Sequence, residues 1–178
     1  EFPLDGSAVK LAMHIINHGS QTLPVIRPLI CMQYQGLQGF PQKLQENYKH
    51  IFIVINDSLT PLSDLSTTDP HTTFKGCVVK GCPQRDTRSE RTGGLITQDM
   101  DLALSVVTSL DGKRKIIIWW TPGKSMIANA YIPCIHADPY FGNLQPGQQA
   151  YADGMVIFTE GDIEPIISYL KSKERKVF

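Results

Sequence analysis

An Asp-Gly pair at positions 111–112 is the sequence feature that most restricts the fold of this chain. It separates two apolar segments, Leu104–Leu110 and Lys115–Trp120, which are rich in Val, Ile and Trp. Asp-Gly favours a tight turn whose backbone twist matches that of two antiparallel strands. The pattern therefore predicts a β-hairpin here.

Short segments of the same kind recur along the chain. They cover 9–16, 25–34, 50–56, 74–79, 95–109 and 154–159, and clusters of Pro, Gly, Ser and Asp separate them. About nine short strands between such turns are typical of a sandwich. We predict a single all-β domain over residues 1–178, an antiparallel β-sandwich with one or two short helices. Pro165 after Glu164 favours a helix start, although a final strand is an open alternative.

Charge and hydropathy restrict the partners. The chain has 17 basic and 17 acidic residues, so it has no basic field to hold nucleic acid through its phosphates. No apolar run approaches the roughly 20 residues that span a bilayer. The first ten residues have neither a basic start nor an apolar segment, so we expect a signal peptide to be absent or already removed.

The four cysteines are the main evidence on cellular location. Cys77 and Cys82 flank a turn, and we predict a disulfide between them, with Cys31–Cys134 as a second disulfide across a sheet. An even count and the glycosylation sequon at 56–58 favour a secreted protein. Four thiols of a cytosolic protein are the alternative. Zinc needs four nearby ligands and only one close pair exists, so we predict no metal and no cofactor.

Signals of catalysis are weak. The G-x-S-x-G and H-E-x-x-H motifs are absent. Asp99 and Asp101 alternate, which predicts two carboxylates on one face of a strand that could bind a cation or transfer protons. The basic run Lys113–Lys115 follows a turn, where it is either solvated or in contact with a phosphate or headgroup.

Aromatic residues are concentrated between positions 119 and 141. Both tryptophans lie there, at 119 and 120, and Tyr131, Tyr140 and Phe141 follow near turns. Such rings either pack a core or face a ligand, because they have an apolar body and, in Trp and Tyr, a polar tip. Neighbouring strand residues point to opposite faces, so we predict that Trp119 is in the core and Trp120 faces the ligand.

The order of several segments resembles that of the actinoporin-type cytolysins and the fungal fruit-body lectins. The similar stretches are MHIINHGSQTL, IIIWWTPGKSMIANAYI, DPYFGNLQPG and ADGMVIFTEGDIEP, which together cover about half of the chain. The resemblance implies a β-sandwich in which aromatics around a proline turn and a Tyr-rich loop bind phosphocholine. The matching positions are Trp120, Pro122, Tyr131, Tyr140 and Phe141. A quaternary ammonium is attracted to aromatic faces by about 0.5–2 kcal/mol per ring.

We therefore expect a secreted, non-catalytic protein that binds membrane-lipid headgroups, with homo-oligomers on membranes as an open alternative. The first strand is predicted to begin near Val9, which leaves no room for the amphipathic helix of the cytolysins, so we expect binding without pores. Two other functions stay open. One is a lectin-like module whose partners are glycans, and the other is a small hydrolase that uses Asp99 and Asp101.

Overall fold

The computed structural model describes residues 7–24, 26, 28–42, 44–83 and 94–175. Two antiparallel sheets form a sandwich with two short helices, which confirms the predicted fold class. The described residues form ten strands, β1 (Ser7–Ile16), β2 (Cys31–Gln33), β3 (Ile51–Ile55), β4 (Ser58–Pro61), β5 (Phe74–Val78), β6 (Leu104–Thr108), β7 (Lys115–Thr121), β8 (Gly123–Asn129), β9 (Cys134–Pro139) and β10 (Gln149–Thr159). The helices are α1 (Leu44–Lys49) and α2 (Glu164–Lys173), and Leu62–Asp64 form a 3-10 turn.

The predicted hairpin joins β6 and β7. Leu104 pairs with Trp119 and Thr108 with Lys115. Gly112 adopts a φ of 73°, a conformation that glycine reaches without steric cost. The Asp111 carboxylate accepts hydrogen bonds from the Ser109 hydroxyl and the Lys113 N–H, so both residues of the Asp-Gly pair fix the turn.

A larger sheet has the order β1-β10-β7-β6-β3-β4, and a smaller sheet has the order β2-β9-β8-β5. Pro122 alone separates β7 in the larger sheet from β8 in the smaller one. The proline turn is therefore a corner at which the chain changes sheets. A Cβ on Gly123 would come within 2.2 Å of the Ala103 Cβ, so this corner requires glycine after the proline.

Apolar side chains are buried on both faces of the larger sheet. Its inner face packs against the smaller sheet, with Trp120 and Ile118 among the contributors. Its outer face is covered by α2, which buries Ile166, Ile167 and Leu170. Pro165 stands in the first turn of α2, so the C-terminal segment is the helix rather than the strand. Neither described helix has the length and apolarity needed to cross a membrane.

Candidate metal centre

The five aromatic and proline positions expected to bind a headgroup do not share one surface. Trp120 and Phe141 are only 2% and 6% exposed, and Pro122 is buried. The Tyr140 N–H donates to the Pro122 carbonyl at 2.8 Å, and the Tyr140 side chain is partly buried against the core. Tyr131 is 62% exposed, but it lies beyond the far end of β8, about 20 Å along that strand from Pro122.

The two tryptophans lie on opposite faces of β7, as alternation requires, and Trp119 is buried as predicted, but Trp120 is buried too instead of facing a ligand. Trp120 packs in the core between the sheets. Trp119 lies on the outer face, where α2 covers it, and its Nε1 donates to Glu174 Oε2 at 3.1 Å. Both rings are buried because the sheet has a partner on each face, which the sequence of β7 alone does not reveal.

The Asp99/Asp101 pair does not form a carboxylate site on a strand. Both residues lie in the irregular segment before β6. Asp101 accepts the backbone N–H groups of Asn56 and Asp57, at 3.3 and 2.7 Å. Its carboxylate therefore stabilises the β3–β4 turn, and this geometry gives the hydrolase alternative no support.

Neither predicted disulfide is formed. Cys77 points into the core from β5, and its thiol lies 3.0 Å from the Gln98 carbonyl. Cys31 and Cys134 are diagonal neighbours on β2 and β9, because Cys31 pairs with His136. Diagonal residues have Cα atoms about 7–8 Å apart, beyond the usual disulfide range of about 4.4–6.8 Å. The prediction that Cys31 and Cys134 lie close together across a sheet is confirmed, and the prediction that they form a disulfide is wrong.

The thiols of Cys31 and Cys134 instead lie beside an imidazole. Strand register brings the three residues together, since Cys31 pairs directly with His136 and Cys134 lies two residues before it. Residues two apart on a strand share a face, and here it is the outer face of the smaller sheet. Among the described residues, this is the one group of at least three Cys, His, Asp or Glu side chains that could hold a metal ion together.

Distances within this group, which we call the Cys2His cluster, suit a tetrahedral ion. The three donor atoms all lie within 4.8 Å of one another, and Cys134 Sγ is 3.7 Å from His136 Nε2. Zn–S bonds of about 2.3 Å and Zn–N bonds of about 2.0–2.1 Å at tetrahedral angles separate S from N by about 3.6 Å. The separation of Cys134 Sγ and His136 Nε2 therefore matches that of two ligands of a tetrahedral zinc ion.

The strands under the cluster hold its two inner ligands firmly. The Ser105 hydroxyl of β6, in the larger sheet, donates to the His136 carbonyl at 2.6 Å and so ties β9 to the opposite sheet. A backbone hydrogen bond from Asn129 reaches Cys134. Cys134 and His136 are buried, whereas Cys31 is exposed on the short edge strand β2. Two of the three donor side chains are therefore fixed and the third is accessible.

Burial and the neighbouring Cys31 raise the pKa of the Cys134 thiol to about 12. The thiolate, not the thiol, is the nucleophile in cysteine catalysis. Cys134 and His136 thus differ from a catalytic Cys–His pair, in which the cysteine pKa is lowered. Further along the same face of β9, desolvation raises the pKa of Asp138 to about 7, although Ile30 N–H and the Ser125 hydroxyl donate to it.

An open pocket of about 210 Å³ lies in front of the Cys2His cluster. The three donors line it together with two amides, Gln33 and Asn129. Apolar side chains form the rest of its wall: Leu29, Phe74, Ile127 and Ile132. The cluster is therefore reachable by small molecules from solvent.

A second open pocket, of about 340 Å³, lies where β1, β7 and β10 meet the loop before α1. Leu37 and Phe158 are 42% and 40% exposed beside it, and Phe40 is part of its wall. Arg114 and Lys115 supply its basic groups, and Glu160 is the acidic residue of its lining. We call it the basic pocket. It contains two of the three residues of the basic run.

The sequence contains a partial signal for the Cys2His cluster. Cys134 and His136 are spaced i, i+2 in a strand-like segment, which places both on one face. The third ligand lies about a hundred positions earlier, and only the pairing of β2 with β9 brings it into place. No protein-family profile, curated protein or solved structure matches this chain.

Proposed function

We propose that this protein binds a transition-metal ion, with zinc the preferred ion, through Cys31 Sγ, Cys134 Sγ and His136 Nε2. The observation that supports the proposal is the convergence of these three donor atoms within 4.8 Å on one face of the smaller sheet. Three protein ligands of the Cys and His type are a known zinc set. The set excludes calcium and magnesium, which take oxygen ligands.

Donor chemistry ranks the candidate metals. Thiolates are soft ligands that select zinc or Cu(I), and imidazole suits zinc as well. With two thiolates and a neutral imidazole, a divalent ion gives a complex of zero net charge, whereas Cu(I) leaves one negative charge in a half-buried site. Burial of an uncompensated charge is costly, so zinc fits better than copper.

Metal binding would also fasten the edge of the sandwich. β2 has three residues, Cys31–Gln33, and among the strands that the structure describes β9 is its one partner. Two of the three ligands are on β9 and one is on β2, so the ion would link the two strands covalently. We therefore assign the ion a role in stabilising this edge as well as in binding.

Cobalt binding under reducing conditions tests the proposal. We expect one Co²⁺ per chain, with thiolate-to-metal charge-transfer absorption, and displacement of the cobalt by Zn²⁺. Cys31→Ser should remove one thiolate contribution and weaken binding at least tenfold; it is the safer variant because Cys31 is exposed. Cys82→Ser is the matched control, since Cys82 lies outside the cluster. Unaltered cobalt absorption in Cys31→Ser, or no binding by the folded wild-type protein, would overturn the proposal.

We keep headgroup binding as a second candidate function, located at the basic pocket rather than at the aromatic positions. Arg114 Nη2 donates to the Gln38 carbonyl at 3.0 Å, and Lys115 Nζ donates to the Gly161 carbonyl at 3.0 Å. These acceptors are neutral, and they hold both cations beside the exposed apolar side chains of Leu37 and Phe158. Cations next to an apolar wall suit an amphiphile with an anionic headgroup.

Vesicle sedimentation tests this second candidate. We expect more binding to vesicles that contain phosphatidylserine than to pure phosphatidylcholine vesicles, and a loss of binding at high salt. Phe158→Ser should weaken binding, and Tyr131→Ser is the matched control because Tyr131 is exposed elsewhere. The opposite result, a loss in Tyr131→Ser alone and a preference for phosphatidylcholine, would favour the aromatic loop of the sequence resemblance.

A further inference from the structure

We infer that the metal ion keeps one coordination position open toward the pocket and that a neutral nitrogen donor of a small molecule fills it. The inference rests on the proposed function, because it concerns the same ion. The proposed function requires only that the ion is bound. The inference adds that a small molecule from solvent binds to the ion and can exchange. An ion that only stabilised the fold would need a fourth protein ligand.

The number of ligands supports an open position. Among the residues that the structure describes, the group that could hold an ion has three members, one donor atom each. Zinc in structural sites is almost always bound by four protein ligands, whereas sites with three protein ligands bind water or a substrate at the fourth position. The three donors line an open pocket, so the remaining position is accessible to solvent.

Charge selects the kind of donor. Two thiolates and a neutral imidazole already neutralise a divalent ion, so a fourth ligand that carries a negative charge would leave the site anionic. The pocket wall includes Leu29, Ile127 and Ile132, and an apolar wall stabilises a net charge poorly. A neutral nitrogen donor adds no charge and replaces a bound water, whose oxygen leaves as the nitrogen lone pair binds.

The pocket also sets the size of the ligand. A volume of about 210 Å³ corresponds to about seven waters at about 30 Å³ each, which is enough for a five-membered ring with a short apolar substituent. Gln33 and Asn129 contribute amide groups at the wall, which suit a second, polar atom of such a ring. The class of ligand is therefore a small nitrogen heterocycle with an apolar substituent.

Titration of the cobalt-loaded, reduced wild-type protein tests the inference. Imidazole is the neutral probe and azide is the anionic probe, and the ligand-field absorption of cobalt reports its coordination. We expect imidazole to change the spectrum in a saturable way, and azide to need at least tenfold more ligand. Azide binding as tight as that of imidazole would overturn the choice of a neutral donor.

Two variants connect the spectral change with the pocket. Ile132 is 43% exposed, so Ile132→Trp can narrow the pocket without disturbing the core, and we expect imidazole binding to weaken at least tenfold. Leu110→Trp is the control, at a residue that is 55% exposed on the β6–β7 turn. Equal imidazole affinity in the two variants would show that imidazole does not reach the metal ion through this pocket.

The same experiment separates the inference from the proposed function. If cobalt binds through thiolates but neither probe alters the spectrum, the ion is coordinatively closed; the inference then fails and the proposed function stands. If cobalt produces no thiolate absorption, the proposed function fails and the inference fails with it.

Discussion

At the scale of single residues, the two adjacent tryptophans show how the environment decides the cost of a substitution. Trp119 Nε1 donates to Glu174, whereas no described acceptor partners the buried Trp120 Nε1. Replacement of either ring by Ala should cost about 3–5 kcal/mol of unfolding free energy. The sequence analysis expected Trp120 to face a ligand, but its burial makes Trp120→Ala as costly as Trp119→Ala.

Replacement by Phe should distinguish the two rings. Trp119→Phe loses a hydrogen bond to a carboxyl group, whereas Trp120→Phe removes an N–H that has no acceptor among the described residues. We predict that Trp119→Phe is the more destabilising of the two by about 1–2 kcal/mol. Urea unfolding followed by circular dichroism measures both variants, and a larger loss in Trp120→Phe would contradict the prediction.

Glu174 gives the fold a specific pH dependence. Burial raises its pKa from 4.5 to about 7, although hydrogen bonds from Trp119 and Thr121 oppose the shift. An acid whose pKa is raised in the folded state is charged more readily in the unfolded chain. We predict that its contribution to stability is fully present below pH 4.5 and is lost as the pH rises to about 7.

Unfolding titrations at several pH values check this prediction, with Glu174→Gln as the variant. The variant should lose part of the decline in unfolding free energy between pH 4.5 and 7, and Glu160→Gln, at an exposed residue, should retain all of it. Asp138, whose pKa burial also raises to about 7, contributes the decline that remains in Glu174→Gln. Asp57 and Asp111 have lowered pKa values, so their contributions change only below that window. An equal decline in wild type and Glu174→Gln would contradict the assignment.

At the scale of elements, a turn or a helix start was predictable where residues within that segment determine it. Asp111-Gly112 specifies its own hairpin, and Pro165 specifies the start of α2. The Thr121-Pro122-Gly123 corner was not predictable as a change of sheets, because the residues that surround it come from distant strands. Segment 25–34 was expected as one strand, but of its described residues only Cys31–Gln33 pair with β9.

Gly154 lies where β10 approaches β7 closely, and it supports a further prediction. A Cβ there would lie 2.7 Å from the Trp120 ring and 2.8 Å from the Trp119 carbonyl. Because backbone cannot move as a side-chain end can, Gly154→Ala should cost about 1–3 kcal/mol. Gly161→Ala is the control, since its Cβ would meet Thr159 Oγ1 at an ordinary 3.7 Å, and we expect a change within about 0.5 kcal/mol.

Thermal unfolding with the same circular dichroism probe compares the two glycine variants. A loss for Gly154→Ala no larger than that for Gly161→Ala would show that β7 and β10 separate easily at this point. The expected difference would show instead that close packing against β10 holds the Trp119–Trp120 segment in place.

At the scale of the whole molecule, the fold class could be predicted from the sequence, but the Cys2His cluster could not. Alternation and turn residues act over a few positions, and together they predict two antiparallel layers. The Cys2His cluster depends on the register between residues 31 and 136, and the burial of Trp120 depends on the opposite sheet. Both depend on how distant strands pack in the folded chain. The sequence pattern therefore identifies the donor residues but does not show that they lie close together.

The last prediction joins the metal to the stability of the whole fold. An ion that binds the native but not the unfolded chain stabilises it by RT ln(1 + [L]/Kd), or about 2.7 kcal/mol at a free concentration of 100 Kd. We therefore expect Zn²⁺ to raise the unfolding free energy of the reduced wild-type protein by this amount, and a chelator to reverse the gain. Cys31→Ser should lose at least about half of the gain, because tenfold weaker binding leaves about 1.4 kcal/mol at the same zinc concentration, and Cys82→Ser should keep all of it. Mg²⁺ at equal concentration should have no such effect, because it prefers oxygen ligands. Equal stabilisation of Cys31→Ser and wild type would place the zinc elsewhere in the chain.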